Sequence, residues 1–201
     1  FDSSLMYLKP LTVINTKPGA KKNTPVTTFT LNLFPEGGDL IENINSRVAF
    51  KTNMQDGLPF AVTGTIVDSK GLKISSFASA HNGMGFFSIT PLAGEKYKAI
   101  WKDKNGIQHE TSLPDAKKEG LAIRVVKTNN ELVYTLNRPD SVDETFKTYT
   151  VFAQMHQQTV YAAKINMQRK TQISTAIITD SMPDGIIQIT VFNGAQIPVA
   201  E

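Results

Sequence analysis

Turn signals punctuate this chain about every 8 to 12 residues, and no segment between them carries a helical period. That spacing leaves room for short strands and little else. The clearest case is Phe34-Pro35-Glu36-Gly37-Gly38-Asp39-Leu40. Upstream, Thr28 to Leu33 puts Phe29, Leu31 and Leu33 on one side and polar residues on the other, the two-residue period of a half-buried strand. Pro35 removes a ladder donor, and Gly37-Gly38 supplies the positive φ angles that a sharp reversal needs. A second alternating stretch, Arg47-Val48-Ala49-Phe50-Lys51, follows. The segment reads as strand, glycine corner, strand.

Taken in order, residues 1–16 have strand composition in Leu5 to Ile14, but Pro10 demotes that stretch to an edge strand or an arm covering a sheet edge. Lys17 to Pro25 has linker composition. From Val26 to about Ile107 come seven short strand candidates. Two of their turns are Asp68-Ser69-Lys70-Gly71 and Asp103-Lys104-Asn105-Gly106. The pattern restarts after Leu113-Pro114-Asp115 and runs to a hairpin turn at Asn193-Gly194-Ala195-Gln196, and only Asp115 to Glu119 offers a short helical turn. The reading is all-β: two tandem immunoglobulin-like β-sandwich domains, at 26–112 and 113–201. Residues 1–25 are then a remnant strand of a preceding domain plus linker, and the last hairpin is cut short. A start at Phe1-Asp2-Ser3-Ser4 marks an excised or processed piece of a longer protein.

Composition excludes several functions. There is no cysteine, hence no disulfide, thiol nucleophile, thiolate metal site or thioester in this stretch. The net charge of +3 comes from Lys and Arg scattered singly rather than in a basic stripe, so no nucleic-acid partner is expected. No run approaches the roughly 20 apolar residues of a membrane helix, so direct membrane insertion is not expected either.

Phe34-Pro35-Glu36-Gly37-Gly38, Arg47 to Lys51, and Gly64-Thr65-Ile66-Val67-Asp68 with Gly71 resemble a macroglobulin-like (MG) domain. His81-Asn82-Gly83-Met84-Gly85-Phe86-Phe87-Ser88-Ile89-Thr90-Pro91 continues the likeness. Pro183-Asp184-Gly185 with the strand after it is similar to the closing hairpin of a second such domain. The resemblance implies macroglobulin-type sandwiches, as in bacterial α2-macroglobulin-like and Bacteroides-type envelope proteins, some next to TonB-dependent receptor plug domains. It also implies an exported life, in the periplasm or at the outer membrane of a Gram-negative bacterium. Its structural motif residues here are Phe34, Pro35, Glu36, Gly37, Gly38, His81, Gly83, Gly85, Pro183 and Gly185. The family's protease trap rests on a bait region and often a Cys-Gln thioester, and neither is identifiable in this stretch.

No catalytic set is legible. His81, His109 and His156 lack ligand spacing. The Asp-x-x-Gly turns lack the alternating oxygen ligands of a calcium loop. Gly37-Gly38 opens no helix that could cradle a phosphate, and no serine sits in a nucleophile elbow. No cofactor is expected. Glu36 is read as accepting backbone N–H groups freed by its own turn, with a cation or a partner's amine as the rival reading. His81 is read as a turn residue whose ring caps backbone groups. Of Phe86-Phe87, one ring belongs to the core and the other covers a neighbouring domain or sheet edge. The expectation is a non-catalytic module that spaces domains of its parent chain and contacts other envelope proteins by strand addition. The rivals are a carbohydrate- or peptide-binding module of an outer-membrane uptake system, with Trp101 and Tyr97 as its ligand surface, or part of a protease-trapping macroglobulin.

Overall fold

The computed structural model describes residues 28–140, 142–180 and 182–201. The expected strand or arm at Leu5 to Ile14 lies outside them. Among the described residues there are fourteen strands: β1 Phe29–Pro35, β2 Ser46–Met54, β3 Thr63–Val67, β4 Lys73–Ala78, β5 Met84–Ile89, β6 Lys98–Lys102, β7 Gln108–Ser112, β8 Ala122–Lys127, β9 Glu131–Asn137, β10 Thr148–Met155, β11 Gln158–Asn166, β12 Gln172–Ile178, β13 Gln188–Asn193 and β14 Pro198–Ala200. The chain is all-β. Its only helical turn among the described residues is a 3-10 turn at Glu144–Phe146, capped by Asp143. The segment Asp115 to Glu119 forms no helix. Lys117 instead makes a parallel bridge with Ile41, because its backbone N–H and C=O find partners on the loop that follows β1.

The seven strands β1–β7 form a three-stranded sheet in the order β1-β2-β5 and a four-stranded sheet in the order β4-β3-β6-β7. Strands β8–β14 repeat this connectivity, as β12-β9-β8 and β11-β10-β13-β14. Every named ladder is antiparallel. Each half is an immunoglobulin-like sandwich with its own apolar centre. Alternation explains why. In β2, Val48, Phe50 and Thr52 turn inward while Ala49 and Lys51 face out. In β9, Leu132, Tyr134 and Leu136 do the same.

The first core gathers the edge-on pair Phe50 and Phe77, at 5.0 Å, with Trp101, Ile66 and Phe87 around it. The second is built on Tyr134, Leu136, Tyr149 and Val151. Tyr134 shares a hydrogen bond with Tyr161 through their hydroxyls at 2.9 Å. Burial is the main cause that pushes the phenols of Tyr134 and Tyr149 well above their ordinary range.

Candidate functional site: the joint between the sandwiches

The glycine corner is where the two sandwiches meet. After β1, Gly37 (φ +89°) and Gly38 (φ +99°) reverse the chain, and the Gly38 N–H donates to Pro35 O at 2.9 Å. A Cβ on Gly37 would stand 2.6 Å from Ile123 Cγ2 of the second sandwich and 3.5 Å from Ala200 Cβ. Only glycine allows both the conformation and the approach.

Glu36 projects across the same gap. Its Oε1 accepts a hydrogen bond from the Val125 N–H at 2.9 Å. Strand β8 is an edge strand, and Val125 is one of its residues. The turn-capping role read from sequence is therefore corrected: the Glu36 carboxylate caps an open N–H of the neighbouring sandwich, not of its own turn. Arg47 Nε lies 3.7 Å from Glu36 Oε2, a loose ion pair, and Oε2 has no hydrogen-bond partner.

The loop beyond the corner and the strap 113–120 complete the joint. The Lys117 N–H donates to Leu40 O at 2.8 Å and the Glu42 N–H to Lys117 O at 2.9 Å, a short parallel pairing. Lys117 Nζ reaches Asp39 Oδ2 at 2.6 Å. Ile41 is almost fully buried, and the absence of a side chain at Gly120 makes room for it. The Asn43 N–H donates to Pro91 O at 2.7 Å and the Gly94 N–H to Glu42 Oε1 at 3.0 Å, which tie the loop to the rest of the first sandwich.

The other motif residues serve single sandwiches. Gly83 (φ +72°) is buried, and a Cβ there would meet Thr52 Oγ1 at 2.4 Å and Phe60 O at 2.9 Å. A Cβ on Gly85 would strike the Phe50 ring at 2.6 Å. His81 is exposed and bonds through Nε2 to the side-chain amide of Asn82 at 2.9 Å, so its ring does not cap backbone groups as expected. Gly185 lies against the His156 ring, whose Nε2 meets Asp184 O at 3.2 Å, and Pro183 beside it is exposed. Phe87 enters the core while Phe86 stays outside under the Arg47 guanidinium.

Tyr97 and Trp101 are a correction. They are 7% and 3% exposed and belong to the first core, so they form no ligand surface. The Trp101 indole donates to Thr111 Oγ1 at 3.0 Å, and the Tyr97 hydroxyl accepts from the Leu92 N–H at 2.9 Å. His109 stacks on Trp101 at 4.5 Å and bonds to Asp103 Oδ2 at 2.9 Å. Among the described residues, no three His, Asp or Glu side chains gather as metal ligands, and no helix is long and apolar enough to cross a membrane.

The fold and the joint define a tandem pair of immunoglobulin-like sandwiches locked corner to strand. No family model and no curated protein matches the chain. Among solved structures it is similar to the native conformation of alpha-2-macroglobulin from E. coli, at 10% identity and a TM-score of 0.34, covering 88% of this chain and 14% of that one. It is also similar to the BSP domain of a biofilm-associated protein, at 15% identity and a TM-score of 0.35, covering 81% of this chain and 26% of that one. A third likeness is to red sea bream transglutaminase, at 12% identity and a TM-score of 0.26, covering 81% of this chain and 28% of that one. The chain thus spans between 14% and 28% of the length of these structures. At such TM-scores they carry no argument about activity or partner.

Proposed function

We propose that this chain is a non-catalytic spacing module of a larger exported cell-envelope protein, holding neighbouring domains of its parent at a fixed angle. The joint carries this reading. Two sandwiches joined by a bare strap would tumble apart. These two share a charge-assisted hydrogen bond from Val125 to Glu36 and a glycine packed on Ile123, and the strap between them is pinned to the first sandwich by a backbone pairing at Lys117. Residues at such a joint serve position rather than chemistry. The macroglobulin-like motifs at Phe34 to Gly38 and at His81 to Pro91 support a periplasmic or outer-membrane-associated location, including an association with TonB-dependent receptors.

Nitrogen-15 relaxation on the full chain tests the spacer. One rotational correlation time for both sandwiches is expected, splitting into two in a Gly37→Val variant whose side chain wedges against Ile123. Two independent correlation times in the unaltered chain would sink the proposal.

A further inference from the structure

The outer face of the β1-β2-β5 sheet carries a patch unlike the rest of the surface. Several exposed apolar side chains sit singly at turn tips, as Leu58, Leu72, Ile107 and Ile197 do. Here Phe34, Ala49 and Phe86 form one row across the three strands, since Phe34 pairs with Ala49 and Ala49 with Phe86. The two rings are 53% and 58% exposed, and Met84, at 43%, extends the row along β5. Strands are spaced by about 4.8 Å, so the rings rise as walls about 10 Å apart with only a methyl group between them. The trough continues into a groove of about 580 Å³ that reaches Glu36 and Gly37 at the joint.

Cations on β2 and the carboxylates of Glu36 and Glu201 at the joint both border this trough. Along β2, residues two apart share a face, so Arg47 and Lys51 flank Ala49 on the outside of the sheet. Lys51 is exposed and has no ion-pair partner among the described residues. Arg47 is held over the Phe86 ring at 4.6 Å and pairs only loosely, through Nε, with Glu36 Oε2 at 3.7 Å; among the described residues its terminal nitrogens make no hydrogen bond. The aromatic walls align an occupant along β2, and the cations stand about 6.8 Å to either side of the floor, the repeat of an extended chain.

We propose that this trough docks an extended segment of a partner protein, seating one aromatic or long aliphatic side chain over Ala49 and an Asp or Glu two residues to either side against Arg47 and Lys51. Large apolar side chains enclosed in such slots supply most of the affinity, and flanking charges set register and selectivity.

The test is fluorescence polarisation of the full chain with a fluorescein-labelled peptide containing Asp-Thr-Phe-Thr-Glu, against the same peptide carrying lysine at both acidic places. Saturable binding of the acidic peptide alone is expected, weakening as salt rises. Phe86→Ser should weaken it by about tenfold or more, in the hot-spot range. Lys51→Glu should lower affinity for the acidic peptide and raise it for the lysine peptide. Trp101 emission, from a ring buried in the first core, checks that each variant is folded. Equal binding of both peptides, or none, overturns the proposal. So does displacement by glycans, or a photocrosslinker at position 86 that captures residues 1–27 or a second copy instead of the peptide. Phe86 and Lys51 make none of the joint contacts, so a failure here leaves the spacer reading standing.

Discussion

At the scale of single residues, two glycines with the same backbone sign separate conformation from space. Gly57 (φ +81°) has open room where a Cβ would go, whereas Gly83 (φ +72°) has Thr52 Oγ1 at 2.4 Å. Gly57→Ala should therefore cost only the left-handed penalty, about 1 kcal/mol. Gly83→Ala should cost about 2 kcal/mol or more, because the buried Thr52 hydroxyl must also move off Phe60 O and Gly83 O. Urea unfolding of the two variants measures the difference, and equal losses would remove the steric part of the account. Asp103 makes a second residue-level case. Desolvation raises its pKa, but the bonds from His109, Ile107 and Asn105 outweigh it and leave the carboxyl below its ordinary range. A depressed carboxylate contributes stability that is present above the unfolded value of about 3.9 and is lost as pH falls through the folded one. Asp103→Asn should keep the turn, because Asn193 makes the same bonds in its own turn, yet flatten the loss of stability on acidification below about pH 4. Thermal unfolding across pH, read at Trp101 under the His109 stack, reports it. An unchanged acid limb would show that the charge on Asp103 contributes nothing.

At the scale of elements, one five-residue turn recurs. In Asp68 to Leu72, Asp103 to Ile107 and Asn193 to Ile197, the first side chain accepts from the N–H groups two and four residues on. The fourth residue has positive φ: Gly71, Gly106 and, as the exception, Gln196 at φ 63°. Gln196→Gly should then stabilise the second sandwich by about 0.5 to 1 kcal/mol, read as a raised urea midpoint with unchanged slope. Loss of stability would mean that the Gln196 side chain makes a contact worth more than the strain. The two Asp-x-x-Gly turns were legible in the sequence, whereas Asn193-Gly194 marks the place of the third turn but not its geometry, since the positive φ falls at Gln196 and not at Gly194. The inward faces of β1 and β2 were legible. The burial of Tyr97 and Trp101 was legible too: Lys98 and Lys102 alternate with Ala99 and Trp101, which sends the aromatic face inward. Parity outranks chemistry here: two large aromatics near a turn suggest a surface, but their place in the alternation buries them. The partner of Glu36 was not legible. Val125 lies 89 residues away, and no local pattern reports which edge strand a corner will meet.

At the scale of the whole molecule, the joint couples two cores that could otherwise unfold independently. Each has its own apolar cluster, and the connection between them is a handful of polar bonds with Gly37 and Ile41 packed at its centre. Whichever sandwich unfolds first loses these contacts as well as its own, so the less stable one borrows stability from the other. The bond from Val125 to the Glu36 carboxylate is the part most easily removed. Its loss in Glu36→Ala should cost about 1 to 3 kcal/mol of that coupling, because the Val125 N–H is left without its acceptor. Gly37, which carries the close packing, stays in place. In calorimetry the unaltered chain should unfold as one transition, or as two closely spaced ones, and the variant should move them apart, with the weaker sandwich melting earlier and the stronger one unchanged. A variant that lowers both transitions equally, or neither, would mean that Glu36 acts within the first sandwich alone and that the fixed angle rests on the Lys117 strap.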